Sequence, residues 1–184
     1  MTGVLSWRGA LRRLPIFFSI VLLAACQTGG QREYDDIAFT LSPDWTVGNN
    51  QVVQGRYALT EWVRTGDDIA NWDELVTVQN WTLSAVEGAD PEAFLRAQQR
   101  LTEKNCPGAA TWHVLERDAR SILYETRTKA CMGYAEHHQI GRIIDGKYNR
   151  FEVSYAMKGP EIPPQRRAEW LGWAAGVTVV TNMR

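Results

Sequence analysis

The sequence predicts an α+β domain in which one mid-chain helix and one C-terminal helix pack on a mostly antiparallel sheet. Three observations predict it. Short runs of β-branched and aromatic residues lie on both sides of a strong helix start at Asp90. An Asp-Gly hairpin signal joins two apolar runs at residues 145–146, and a second helical pattern follows them. No internal repeat is apparent, so we expect one domain.

The first part of the domain is predicted to consist of strands. Residues 37–41 alternate apolar with small or polar side chains and precede a Ser-Pro-Asp turn signal. Residues 49–50 are interpreted as a turn, and residues 51–63 as a strand interrupted at Gly55. A further strand begins at Leu75, where alternating side chains point to opposite faces.

The mid-chain helix has a well-defined predicted start. Asp90 can cap free backbone amides, Pro91 has its φ angle preset for the first helical position, and Glu92 suits the positive end of the helix dipole. We expect the helix to continue through Thr102. Its predicted buried face consists of Phe94, Leu95, Gln98 and Leu101.

The cysteine positions support the first of two hairpins predicted in the second half. Residues 111–117 and 120–128 form strands around a two-residue turn, so that paired positions sum to 237. Cys106 and Cys131 have the same sum, and the returning strands therefore bring them close together. In an oxidising compartment this spacing predicts a disulfide. Two unrelated thiols or a metal-binding pair are the alternatives.

The second hairpin and the last helix complete the predicted fold. Residues 145–146 connect strands over 135–144 and 147–158, and a helix follows over 165–175. We expect the helix to dock on the sheet rather than on a membrane, because its basic face is sparse. The order of strands and helices in the whole domain resembles that of the small sandwiches of the PsbP and Mog1 kind. This resemblance implies a fold and no function. The predicted buried side chains are Phe151, Val153, Tyr155 and Met157 in the strand, and Trp170, Trp173 and Ala174 in the helix.

The N-terminus predicts export. Three arginines precede an apolar run over 14–25, and no acidic residue occurs before Glu33. The run is shorter than the approximately 20 residues that span a bilayer as a helix. It ends in the sequence Leu-Ala-Ala-Cys at 23–26.

This ending resembles the lipobox of bacterial lipoproteins. The resemblance implies that residues 1–25 are removed as a signal peptide and that Cys26 carries a diacylglyceryl thioether and an acyl chain such as palmitate. Since each buried CH₂ contributes about 0.8 kcal/mol, two or three chains hold a protein on the membrane essentially permanently. Gln27 instead of aspartate implies the outer membrane, facing the periplasm. A signal peptide cut elsewhere or an uncleaved anchor is the alternative.

The expected organisation is a signal peptide over 1–25, a lipidated tether over 26–36 and one globular domain over 37–184. Removal of the signal from the 184-residue chain leaves 159 residues, enough for a sizeable core. The mature net charge is −4, because three arginines leave with the signal and 21 acidic residues stay. This charge disfavours nucleic acid and anionic lipid as partners.

Catalytic, cofactor-binding and phosphate-binding motifs are not found in the sequence. His137 and His138 are expected on opposite faces of a strand, so they could not hold one metal ion without a bulge. We therefore predict no catalytic residue, no cofactor and no metal site.

Two hypotheses for the function follow. The preferred one is a non-catalytic binding or scaffold lipoprotein that engages an envelope protein or a small apolar ligand, and no nucleic acid. The alternative is an envelope hydrolase with a dispersed site. It requires His113 or His138 to meet a carboxylate or hydroxyl group in a cleft.

Substitution of the lipobox cysteine tests the predicted anchor. The change Cys26→Ala should abolish labelling of the protein with radioactive palmitate, because no thiol remains at the lipidation position, and should release or stall the protein. Labelling and membrane fractionation measure both effects, and Cys106→Ala is the control that keeps the label. Continued lipidation of Cys26→Ala would refute the anchor.

Overall fold

The computed structural model describes residues 33–86 and 88–183. The predicted signal peptide, Cys26 and most of the tether lie outside the described residues. No helix within the described ranges is long and apolar enough to cross a membrane.

The described part contains nine strands and two α-helices, with a short 3₁₀ turn over Leu83–Ala85. The first strands and helix are β1 (Glu33–Ala38), β2 (Trp45–Val53), β3 (Tyr57–Arg64), β4 (Glu74–Thr82) and α1 (Pro91–Asn105). The remaining elements are β5 (Ala110–Arg117), β6 (Ser121–Thr128), β7 (His137–Asp145), β8 (Asn149–Lys158), α2 (Pro164–Gly176) and β9 (Thr178–Met183).

Seven strands form one antiparallel sheet in the order β2-β3-β4-β8-β7-β6-β5. β1 and β9 pair antiparallel in a separate two-stranded sheet. The prediction of a mostly antiparallel sheet with one mid-chain and one C-terminal helix is confirmed. β9, which follows α2, was not predicted.

Strand register assigns the core side chains to two faces of the sheet. Val76, Ile140 and Tyr155 occupy the face covered by α2, where Trp170 and Ala174 pack on them. We call this the α2 face. On the opposite α1 face, the helix residues Phe94 and Leu95 pack on the strand residues Ile122, Tyr124 and Ile143.

Burial on both faces corrects the prediction that β8 has one buried side. Phe151, Val153 and Tyr155 are buried as expected, and Met157 is half-buried. The alternate residues are buried as well, and α1 covers the first two of them, since Phe94 lies against Arg150 and Gln98 bonds to Glu152. These residues are Arg150, Glu152, Ser154 and Ala156.

The first strands differ from the prediction in three respects. β1 begins at Glu33, so residues 33–36, expected in the tether, pair with β9. The predicted interrupted strand over 51–63 is instead a hairpin of β2 and β3, in which Gly55 adopts a φ of 72° that favours glycine. Residues 49–50, predicted as a turn, lie inside β2 next to a bulge.

Both later hairpins form, but their turns are longer than predicted. In the first, Asp118 N donates to Ser121 O at 2.9 Å, and Arg117 pairs with Ile122. Paired positions next to this turn sum to 239, and those beyond the bulge at Leu115 sum to 238, so the predicted pairing that sums to 237 is wrong. In the second, Gly146 N donates to Asn149 O at 2.7 Å and closes a four-residue turn.

Both helices agree closely with the prediction. Asp90 Oδ1 accepts a hydrogen bond from Ala93 N at 2.7 Å and so caps α1. Phe94 and Leu95 are buried, but Leu101, predicted on the buried face, is 59% exposed. α2 docks on the sheet as expected.

Cys106 and Cys131 lie at disulfide distance, with their Cα atoms 6.1 Å apart. The predicted cysteine pair is close in space although the predicted strand register is wrong, because both cysteines lie beyond the ends of β5 and β6. There Lys129 N donates to Ala109 O at 2.9 Å, and so extends the β5–β6 pairing toward the cysteines.

Removal of this disulfide should destabilise the domain. The double change Cys106→Ala and Cys131→Ala removes a crosslink between residues that are 25 positions apart in sequence. For a loop of this length the chain-entropy relation gives a decrease of about 3 kcal/mol in the free energy of unfolding. Urea denaturation of the mature domain measures it, with Cys26→Ala as the background in both proteins. Equal stability of the two proteins, or two free thiols in the oxidised parent by mass spectrometry, would contradict the expectation.

Candidate functional site

An open groove lies on the α1 face, at the end of the sheet that α1 leaves uncovered. Its volume is about 770 Å³, within the range of about 300–1,000 Å³ of ligand sites. Strands β4, β7 and β8 provide the floor through Thr77, Gln139 and Ala156. Two loops, over 69–72 and 133–135, form the walls. We call this feature the open groove.

The floor and rim carry hydrogen-bonding groups with unused capacity. Gln139 Nε2 donates to the Tyr124 hydroxyl at 3.2 Å, and Gln139 Oε1 has no hydrogen bond to another described residue. His137 Nδ1 donates to Ala135 O at 2.9 Å, which orients this ring at the rim. The open groove therefore offers an amide acceptor beside its apolar surface.

Aromatic and cationic side chains line the rim. Lys158 Nζ lies 5.3 Å from the centre of the Trp72 ring and 3.5 Å from Asn71 Oδ1. On the opposite wall Tyr134 is 73% exposed, beside Met132 at 70%. Exposed aromatic and methionine side chains of this kind are enriched at protein interfaces.

The disulfide supports the wall that carries Tyr134. Cys131 and Tyr134 exchange backbone hydrogen bonds of 3.1 and 2.9 Å, which close a tight turn. Met132 lies within this turn at a φ of 52°, in the left-handed region that few residues other than glycine adopt. Because Cys131 is also joined to Cys106 beyond the end of α1, the turn is held at both ends.

A buried polar network lies beside the groove floor, on the same face of the sheet and under α1. Glu152 is 4% exposed and accepts hydrogen bonds from Gln98 Nε2, at 2.6 Å, and from the Tyr124 hydroxyl. Burial raises the pKa of both Glu152 and Tyr124. Gly141 makes room for the tyrosine, since a Cβ there would lie 2.5 Å from Tyr124 Oη. Through Gln139, this network fixes the inner end of the groove floor.

A second network lies on the α2 face around His138, which is fully buried. Ile162 N donates to His138 Nδ1 at 2.8 Å, so the ring is neutral and its Nε2–H donates to Glu125 at 2.6 Å. Burial lowers the pKa of His138. Arg167 of α2 donates twice to Glu125, at 2.7 and 2.8 Å, and lowers the pKa of that carboxyl to about 2.

This network fastens α2 to the sheet and has no accessible reactive atom. Both ring nitrogens of His138 are engaged inside the core. His113 is exposed on β5, and His137 lies on the face opposite His138, as predicted. The hydrolase alternative requires His113 or His138 to meet a carboxylate or hydroxyl group in a cleft, whereas His138 meets Glu125 inside the core. Among residues 33–86 and 88–183, no three His, Cys, Asp or Glu side chains are placed to hold a metal ion.

A larger concavity of about 880 Å³ lies at the opposite end of the sheet, between the β5–β6 turn and β9. Its cations already have partners within the domain. Arg142 donates to the carbonyl oxygens of Ala175, at 2.6 Å, and Val177, at 3.2 Å, at the end of α2. Arg120 donates to Asp145 O at 2.8 Å. We therefore take the open groove as the candidate site.

Sequence patterns indicated His138 and the disulfide but not the open groove. Trp72 and Tyr134 lie in polar loops, and their positions on opposite walls of one groove depend on the pairing of β8 with β4 on one side and with β7 on the other. Glu125 could have been found by register, because it lies on the α2 face two residue pairs along the β6–β7 ladder from His138. No sequence pattern indicates its bond to Arg167.

Acid should weaken the Glu125 network. The pKa of the Glu125 carboxyl is about 2 in the folded domain and about 4.5 in the unfolded chain. Its ionised form therefore stabilises the fold fully above pH 4.5, and this stabilisation is lost as the pH falls toward 2. The lowered pKa of His138 likewise makes the folded domain less stable as the pH falls. We expect Glu125→Gln to lower the free energy of unfolding by about 3 kcal/mol at pH 7, and by much less at pH 3.

Urea denaturation from pH 7 to pH 3 measures this difference. The matched control is Glu161→Gln, which removes an exposed pair with Arg127 and should leave stability close to that of the parent. A constant difference between parent and Glu125→Gln across this pH range would show that the network does not titrate as inferred.

Comparison with known proteins supports the fold. No family model matches the chain, and no curated protein matches it. Among solved structures, the Ran-binding protein Mog1p of Saccharomyces cerevisiae is similar to this chain, with a TM-score of 0.52 and 13% sequence identity. The match covers 80% of this chain and 95% of that one. At this identity the likeness concerns the fold alone, and it agrees with the expected sandwich of the Mog1 kind.

Proposed function

We propose that this protein is a lipid-anchored, periplasm-facing envelope lipoprotein whose non-catalytic domain binds an envelope protein in the open groove. One observation carries the proposal. The chain enters the domain at the end of the sheet opposite the groove, so an anchor ahead of Glu33 would leave the groove facing away from the membrane.

The position of β1 is fixed by a buried carboxylate. Asp35 is 4% exposed and accepts hydrogen bonds from Tyr148 N at 2.5 Å, Asn149 N at 3.0 Å and Thr181 Oγ1 at 3.0 Å. A Cβ at Gly146 would lie 2.7 Å from Asp35 Cγ, so only glycine fits there. The first residues of the domain are thus held against the β7–β8 turn.

The open groove lies at the far end of the same strands. β8 starts next to this turn at Asn149 and ends at Lys158, which lines the groove. Ten residues of strand correspond to about 30 Å. The seven residues from Cys26 to Glu33 span at most about 24 Å when extended. In an anchored domain, the end of the sheet next to Glu33 can therefore lie nearer the membrane than the groove, which is then accessible from the periplasm.

The lining of the groove favours a protein partner over a small apolar ligand. Small-ligand sites are lined mainly by apolar groups, whereas this groove combines Thr77, Gln139 and Lys158 with Trp72 and Tyr134. Its aromatic rim suits a protein interface. Mog1p, of similar fold, is described as a Ran-binding protein, so this fold is compatible with a protein partner.

Photocrosslinking in the native envelope tests the proposal. A benzophenone amino acid at Tyr134, on the groove wall, should form a protein adduct that is lost with Trp72→Ala. The same probe at Ala119, in the exposed β5–β6 turn at the tether end, should form lipid adducts instead. Protein adducts at Ala119 together with lipid adducts at Tyr134 would reverse the proposed orientation and refute it.

A further inference from the structure

Two charged side chains line the open groove without an oppositely charged partner among the described residues. Glu61 of β3 accepts a hydrogen bond from Asn49 Nδ2 at 2.7 Å, and this amide is neutral. Lys158, at the end of β8, contacts Asn71 Oδ1 and the ring of Trp72, which are neutral as well. Neither charge forms a salt bridge within the part of the chain that the structure describes.

Both charges are half-buried and lie on the same face of the sheet. Glu61 pairs with Thr77, and Thr77 pairs with Ser154, so these side chains share the α1 face. Lys158 follows Ser154 by four positions along β8 and therefore points to that face too. Of the described residues that line the groove, Glu61 is the one acidic side chain and Lys158 the one lysine or arginine.

The two charges are separated both across and along the strands. β4 lies between β3 and β8, so two strand spacings, about 10 Å, separate these strands. Four positions along β8 add about 13 Å in the perpendicular direction. The Cα atoms of Glu61 and Lys158 are therefore roughly 16 Å apart, the length of about five residues of extended chain.

The floor of the groove suits an extended backbone. Thr77 and Ala156 are buried there and have small side chains, so another chain can approach the sheet closely. Gln139 Oε1 has no hydrogen bond to another described residue and can accept one from a backbone N–H. The charged positions are thus joined by a surface on which a short extended segment can lie.

The two charges restrict what can cover the groove. A charge that loses contact with water is costly unless it gains a counter-charge. An apolar occupant would desolvate Glu61 and Lys158 without this compensation. A second copy in a twofold contact would set the groove against itself, and two concave surfaces leave a void between them. A segment with a basic and an acidic side chain at matching positions satisfies both charges.

We propose that the envelope protein enters the open groove through an extended segment in which a basic and an acidic side chain lie about five residues apart. The basic side chain pairs with Glu61, and the acidic one pairs with Lys158. The inference rests on the proposed function and names the chemistry of its partner. Because a reversed segment would bring like charges together, the two pairs also fix the direction in which the segment runs.

The test is crosslinking of the full lipidated protein in its native envelope, with a benzophenone amino acid at Tyr134. We expect Lys158→Glu and Glu61→Lys each to reduce the protein adduct about tenfold, because each change brings like charges together in the complex. The peptide recovered from the parent adduct should belong to a segment with a basic and an acidic residue about five positions apart.

Lys129→Glu and Glu116→Lys are the matched controls. They make the same charge changes at exposed side chains that do not line the groove, so both should leave the adduct unchanged. Thermal unfolding of each purified variant verifies folding.

A compensating change in the envelope protein provides a second measurement. Replacement of its acidic residue by lysine should restore the adduct of Lys158→Glu to within about twofold of the parent, because opposite charges then meet again. The same replacement should not restore the adduct of Glu61→Lys, which depends on the other pair.

Five outcomes would overturn the inference: adducts with a second copy, an adduct peptide without the two charges, an adduct insensitive to either charge reversal, equal loss in the controls, or failure of the compensating change. If the parent forms a protein adduct at Tyr134 that both reversals leave intact, the charge pairing alone is refuted. If the parent forms no protein adduct at Tyr134, the proposed function itself is refuted.

Discussion

The pairing of β4 with β8 is the interaction on which the rest of the structure depends. It joins strands from the two halves of the chain, with Val76 opposite Tyr155 and Val78 opposite Val153. Without it, the β2–β3–β4 meander and the β5–β8 meander would be separate small sheets, each with two apolar faces. With it, one sheet is wide enough to be covered by a helix on each side.

Covering both faces forces polar side chains into the interior, and the buried ionisable ones among the described residues have specific partners. Arg150 is fully buried and donates to both carboxylate oxygens of Asp145, at 2.6 and 2.8 Å. Glu152 and His138 are satisfied in the same way on opposite faces. Such bonds cost desolvation but fix the relative positions of helices and strands. The framework is therefore rigid, and the open groove lies at its periphery.

Local signals in the sequence were sufficient for the elements that depend on local chemistry. The Asp90 cap and the docking face of α2 follow from side chains that are close together in sequence. The disulfide pair follows from two cysteines on either side of a hairpin turn. The bulges at Gly48 and Leu115 could not be predicted, because each depends on packing against or pairing with another strand. The open groove was missed for the same reason, since Trp72 and Tyr134 are 62 positions apart.

The link between Cys106 and Cys131 also has a consequence for timing. It ties the end of α1 to the turn that presents Tyr134, so oxidation of the two thiols adds a covalent restraint to this wall of the groove. If the protein is exported as proposed, that restraint would form only after translocation, because the cytosol keeps thiols reduced. The wall would then be less firmly held in the newly made chain than in the exported one.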